Sequence, residues 1–144
     1  MRLNKVDIVA PEYITVIGKR QEVAAMAFGE AAWQVFAQLT NHSEFIFGSN
    51  ATEEEANELL ESVLYYACHS DLAFVSSTEG DHVNIFGIVR YYVDGEANAR
   101  VALIEDRNGK SWPIYHGSEA ECREAIHRLS KYTLHLEQER KEQW

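Results

Sequence analysis

Two capping boxes bracket a strand-rich block in this chain, and that arrangement limits the folds open to it. In Thr52-Glu53-Glu54-Glu55 and in Ser118-Glu119-Ala120-Glu121 a hydroxyl residue precedes a glutamate by three positions. Hydroxyl and carboxylate then each take a backbone amide of the other residue, which fixes the first turn of a helix. After Thr52, the residues Ala56, Leu59, Leu60, Val63 and Ala67 fall on one face, predicting a helix that ends near His69-Ser70. After Ser118, the inner face is Cys122, Ala125, Ile126, Leu129, Tyr132 and Leu136, and the polar residues beyond Gln138 are expected to fray.

Between the two boxes the pattern is extended. Leu72 to Ser76 reads as a strand, Thr78-Glu79-Gly80-Asp81 as a turn, and His82 to Val93 as one long strand with Gly87 as a bulge. Asp94-Gly95-Glu96 signals a hairpin, and Arg100 to Glu105 forms the next strand. Asn108-Gly109 favours a type I′ turn, and Ser111 to His116 closes a four-strand antiparallel meander with Pro113 at its edge.

Before the first box the signals are weaker. Val6 to Ile17 is extended and divided by Pro11, so residues 1–20 read as an arm, with Gly18 ending its extended run. Phe28, Ala32, Val35, Phe36 and Leu39 predict a helix over Gln21 to Leu39, with Gly29 inside it. Asn41-His42-Ser43 breaks that helix. Glu44 to Phe47 is a short strand and Gly48-Ser49-Asn50 a turn. The expected fold is a single α+β domain over 1–144, with two helices before the sheet and one C-terminal helix packed on it.

Charge narrows the function. The net charge is −10, and twelve acids lie between Ala51 and Asp106, where the only cations are Arg90 and Arg100. The flanking stretches 1–50 and 107–144 carry −1 and +1, so the middle holds the whole imbalance. Direct binding to nucleic acid or to an anionic membrane is disfavoured, because both depend on neutralising phosphate. No run approaches the roughly 20 apolar residues of a membrane span, and Met1 to Ala10 lacks a signal-peptide core. The expected location is cytoplasmic, with Cys68 and Cys122 as reduced, buried thiols.

The usual chemistries find no foothold. His42, His69, His82, His116, His127 and His135 show no i,i+4 helical pair, and there is no Cys-x-x-Cys, so neither metal nor cofactor is implied. Cys122 and His127 project to roughly opposite sides of their helix, which is wrong for a thiol nucleophile and its base. Asp94, Glu105, Asp106 and Lys110 flank two strands, but Glu105 and Asp106 alternate across the sheet instead of converging on one ion. Turn-flanking acids of this kind are expected to be solvated. No glycine series opens a helix to cradle phosphate. No catalytic residue is assigned.

One surface stands out. On the helix after Thr52, Glu54, Glu58 and Glu61 fall within about 60° of one another, with Tyr65 continuing the stripe. Successive acids are about 5–6 Å apart along the axis, near the phosphate spacing of a nucleic-acid strand. Like charges at i,i+4 cost a few tenths of a kcal/mol, so the stripe does nothing for the helix itself beyond its first turn. Elsewhere, Tyr91 and Tyr92 alternate across the sheet, so one of them faces away from the core.

These residues point to a non-enzymatic acidic module that binds a basic protein surface, such as that of a nucleic-acid-binding enzyme, through Glu54, Glu58, Glu61 and Tyr65. Glu53, Tyr91, Tyr92, Asp94 and Glu96 are its adjuncts. Phage- or plasmid-encoded anti-defence proteins (anti-CRISPR proteins among them) and immunity proteins are similar in composition. Two other readings stand beside it. One is a ligand-binding or enzymatic domain with a pocket lined by Trp33, Tyr66, Trp112 and His116. The other is a homodimer formed through the sheet.

Overall fold

The computed structural model describes residues 13–22, 33–69 and 73–142, excepting the side chains of 68 and 69. Several expectations lie outside these residues: the extended stretch 6–12, the helical positions Phe28, Gly29 and Ala32, and the environment of Cys68. The chain divides into two compact units, Met1–Leu72 and Ala73–Trp144.

In the first unit, β1 (Ile14–Gln21), β2 (Trp33–Leu39) and β3 (Glu44–Asn50) form antiparallel neighbours, and α1 (Glu53–His69) follows. The helix expected over Gln21 to Leu39 is therefore overturned at its C-terminal end. Trp33, Val35, Ala37 and Leu39 alternate as well as Val35, Phe36 and Leu39 repeat helically, and a window this short does not separate the two periods. Val35 and Ala37 are fully buried between strands, which favours the extended form. Gly48-Ser49-Asn50 is also strand and not turn, because Val35 pairs with Gly48 and Trp33 with Asn50.

Helix α1 lies across all three strands and buries Ala56, Leu60, Val63 and Ala67. Gly48 makes the close approach possible, since a Cβ there would meet Leu59 Cδ2 at 2.9 Å. The expected capping box forms in its first half, and its second half becomes a side-chain contact. The Glu55 amide donates to Thr52 Oγ1 at 3.2 Å, and the Thr52 hydroxyl donates to the Glu55 carboxylate.

In the second unit, β4 (Phe74–Ser76) and β5 (His82–Asn84) form a short hairpin. A 3-10 turn at Ile85–Gly87 follows, its start capped by the Asn84 carboxamide, which accepts from the Phe86 amide at 3.0 Å. The single long strand expected from His82 to Val93 is thus broken at that turn. Extended backbone resumes in β6 (Arg90–Glu96), which pairs with β7 (Ala99–Glu105), and β7 pairs with β8 (Ser111–Gly117). The meander has three strands instead of four, with β4 and β5 in a different sheet. Pro113 sits on the edge strand, as expected. The β6–β7 hairpin turns at residues 97–98, two positions beyond Gly95, which remains in the strand at φ +98°.

Helix α2 (Glu119–Glu142) packs on the meander. Ser118 and Glu121 exchange their capping hydrogen bonds at 3.2 Å. Cys122 is buried beneath the helix, and Ala102, Ile104 and Trp112 are buried in the meander. The helix extends to Glu142, with a His135–Glu139 contact at 3.0 Å and Arg140 stacked 4.9 Å from the Phe86 ring centroid. One expectation about it changes. Tyr132, expected on the inner face, is 51% exposed, while its neighbour Thr133 is buried. The fold is α+β with antiparallel sheets and, among the described residues, two long helices.

Candidate functional site

The buried positions of α1 fix where its other side chains go. Ala56, Leu60, Val63 and Ala67 face the sheet, so Glu54, Glu58 and Glu61 emerge on the opposite side, all exposed. Among the described residues none of the three carboxylates has an ion pair. Tyr65 extends the row at 63% exposure. Beside it Tyr66 is 44% exposed, and the two rings meet edge to face at 6.1 Å and 87°. Glu58, Glu61, Ser62, Tyr65 and Tyr66 together rim an open depression of about 480 Å³. Helical spacing assigns neither Ser62 nor Tyr66 to the acidic stripe. The signal for Tyr66 is its adjacency to Tyr65, which a wheel discounts because consecutive residues diverge by about 100°.

The adjuncts divide. Glu53 is engaged inside the first unit, its carboxylate 2.9 Å from Lys19 Nζ, which also donates to the Asn57 side chain. Lys19 in turn lies 5.6 Å from the centroid of the Trp33 ring. This arrangement anchors the N-terminus of α1 to β1 and takes Glu53 out of the free acidic row. Tyr91 turns toward α2 and donates its hydroxyl to Thr133 Oγ1 at 3.3 Å, so it is a packing residue. Tyr92 points to the other side of the meander, where its hydroxyl meets Ser111 Oγ at 2.6 Å and Arg90 stacks 4.2 Å from its centroid. Asp94 and Glu96 are exposed on the same strand, but Asp94 is committed to the backbone amide of Gly95 at 2.8 Å. Tyr91, Tyr92, Asp94 and Glu96 all belong to the second unit.

The residues weighed for a pocket are also split between units. Trp33 and Tyr66 belong to the first; Trp112 and His116 belong to the second. Trp112 is buried, and its indole N–H donates to Asp106 Oδ2 at 2.8 Å. His116 shares a hydrogen bond with the Thr78 hydroxyl at 3.3 Å. No group of three or more His, Cys, Asp or Glu side chains among the described residues is placed to hold a metal ion. No helix among them is long and apolar enough to cross a membrane.

Asp106 departs most from its expected role. Instead of being a solvated turn acid it is 1% exposed. Besides Trp112, its carboxylate accepts from the amides of Asn108 at 2.8 Å and Lys110 at 3.1 Å. Three donors on one carboxylate make a turn clamp, which occupies both oxygens and does not serve an ion shared with Glu105.

Comparisons with known proteins add no family: no family model, no curated protein and no solved structure matches this chain.

Proposed function

We propose that this chain is a non-enzymatic, acidic protein-binding module whose α1 face occupies a basic, nucleic-acid-binding surface on a partner protein and inhibits it. The likeness to anti-defence and immunity proteins is one of composition: small, acidic and without catalytic motifs. The observation that carries the reading is the row Glu54, Glu58, Glu61, exposed and without ion pairs among the described residues, running into Tyr65. Three like charges on one helix face cost a few tenths of a kcal/mol per adjacent pair; Glu54, in the first turn, regains some of this from the helix dipole, whereas Glu58 and Glu61 lie beyond that turn and have no ion pair among the described residues. A cationic partner offsets the remainder, with the tyrosines supplying desolvated contact area beside the charges. Glu53 drops out of the proposed surface because it is engaged with Lys19, and Tyr91, Tyr92, Asp94 and Glu96 drop out because they belong to the second unit, where Tyr91, Tyr92 and Asp94 are engaged internally.

The test is capture from host lysate on the immobilised chain, with mass spectrometry. The captured protein is expected to be basic and to bind DNA or RNA. Its release is expected on raising salt from ~0.1 M to ~0.5 M, where the Debye length shrinks from about 10 Å to below 5 Å. Added nucleic acid should compete. Retention of the same protein by Glu54→Lys/Glu58→Lys/Glu61→Lys at low salt would sink the reading.

A further inference from the structure

A second concavity lies within the second unit, between β4, β8 and α2, with a volume of about 670 Å³. Its floor is apolar: Val75, Ile114, Ala125 and Leu129 line it, and the half-exposed Tyr132 ring stands at one end. Charge is distributed along its helical wall in a particular order. Glu121 and Glu124 come first, and Arg128 follows. On a 100°-per-residue wheel Glu121, Ala125 and Tyr132 form the middle of this wall, with Glu124 and Arg128 together on one flank. Glu124 and Arg128 form an i,i+4 pair at 3.1 Å, and both side chains are more than half exposed.

We propose that this wall of α2 pairs with the same wall of a second copy, antiparallel, about a two-fold axis near residue 126. The sequence order makes the surface self-complementary. Reversal about that point sets Glu124 of each copy opposite Arg128 of the other, and brings each Tyr132 ring over the Ala120–Glu121 end of the other copy's groove. A parallel pairing would put Glu124 on Glu124 and Arg128 on Arg128. Two-fold interfaces are isologous, so one patch must satisfy itself, and this one does so in charge. Ala125, beside the axis, lets the helices approach closely. The pairing also accounts for Tyr132, an apolar-stripe position that its own unit leaves half open. Each copy carries −10, yet at about 0.15 M salt repulsion beyond ~8 Å is largely screened while the close Glu–Arg pairs persist. This inference is independent of the α1 reading and uses none of its residues.

The experiment is sedimentation velocity on the purified full chain over about 5–200 μM, with circular dichroism to verify folding. The expected result is a mass rising to twice the monomer. Glu124→Arg and Arg128→Glu should each weaken association by at least ~10-fold, and the double swap Glu124→Arg/Arg128→Glu should restore it. Tyr132→Ser, a change at a half-exposed position that should leave the fold intact, should also weaken it. A wild-type chain that stays monomeric throughout overturns the proposal. So does a dimer indifferent to all four variants, or one that the double swap fails to restore after the single changes have dissociated it.

Discussion

Asp106 and His82 are the side chains whose surroundings differ most from what their sequence neighbours imply. For Asp106, the neighbouring Asn108-Gly109 turn is legible, but the coupling to Trp112 is not, because it depends on β8 returning alongside β7. Asp106→Asn keeps the volume and, with its carbonyl oxygen on the Asn108 and Lys110 amides, turns an NH2 toward the Trp112 indole N–H, which then lacks an acceptor. We expect a loss of about 2 kcal/mol, since a buried donor left without its partner costs roughly 1–3 kcal/mol. Urea unfolding followed by tryptophan fluorescence measures it, and a loss below ~0.5 kcal/mol would show that the clamp is incidental. His82 sits half-buried in the β4–β5 hairpin, its Nδ1 3.1 Å from Ser76 Oγ, and burial holds its pKa below the ordinary 6.5. As pH falls through 6.5 the unfolded chain takes the proton first, so the folded state is fully favoured above that value and loses stability below it. Asp81, raised by burial from 3.8, works in the opposite sense: between 3.8 and its folded value, stability falls as pH rises. Comparison with His82→Gln isolates the histidine. Between about pH 8 and pH 5.5 the variant should lose less stability than the wild type, and parallel curves would rule the histidine out.

At the scale of elements, helix starts are written locally and strand boundaries are not. Both N-caps form as read, with the full reciprocal box at Ser118–Glu121 and the hydroxyl half of it at Thr52–Glu55, because the interaction spans three residues and needs no tertiary partner. Thr52→Ala and Ser118→Ala should each cost about 1 kcal/mol, read as shifts of the urea midpoint. By contrast, β2 carries two periodicities at once, and burial of Val35 and Ala37 against neighbouring strands decides between them. The break after β5 hinges on Asn84 accepting the Phe86 amide, a local cap hidden inside an apolar run that reads continuously as strand. Each unit ends in three antiparallel strands followed by a capped helix, an order that only the structure makes visible. Glycine marks the tightest points of both. Gly95 combines φ +98° with a site where a Cβ would collide with the Ala99 carbonyl oxygen, a backbone atom that cannot swing away. At Gly48 the obstacle is the end of a leucine side chain. Gly95→Ala should therefore cost more than Gly48→Ala, by about 1–3 kcal/mol for the backbone strain alone. Equal losses in thermal unfolding would contradict this.

For the whole molecule, the excess of acid in the middle of the chain resolves into several different uses. Glu53 anchors α1, Glu55 accepts from the hydroxyl of its Thr52 cap, Asp94 and Asp106 organise backbone, and Glu105 pairs with Arg90 at 3.3 Å. A sequence count cannot separate Glu53, Glu105 and Asp106 from Glu54, Glu58 and Glu61, because their partners come from other strands and turns. What the sequence does show is the stripe itself, since helical spacing alone puts the three acids together. The separation has a measurable consequence. Glu54→Lys/Glu58→Lys/Glu61→Lys raises the net charge from −10 to −4, each reversal adding two charges. Stability should change by no more than ~0.5 kcal/mol: relief of like-charge pairs offsets the poorer match of a cation in the first turn to the positive end of the helix dipole. Glu53→Lys alone should cost more, about 1 kcal/mol, because it sets two cations against each other at Lys19. Urea midpoints rank the two variants at low and high salt. If the triple variant proves the less stable one, the three acids support the fold after all, and their exposure gives no ground for a partner.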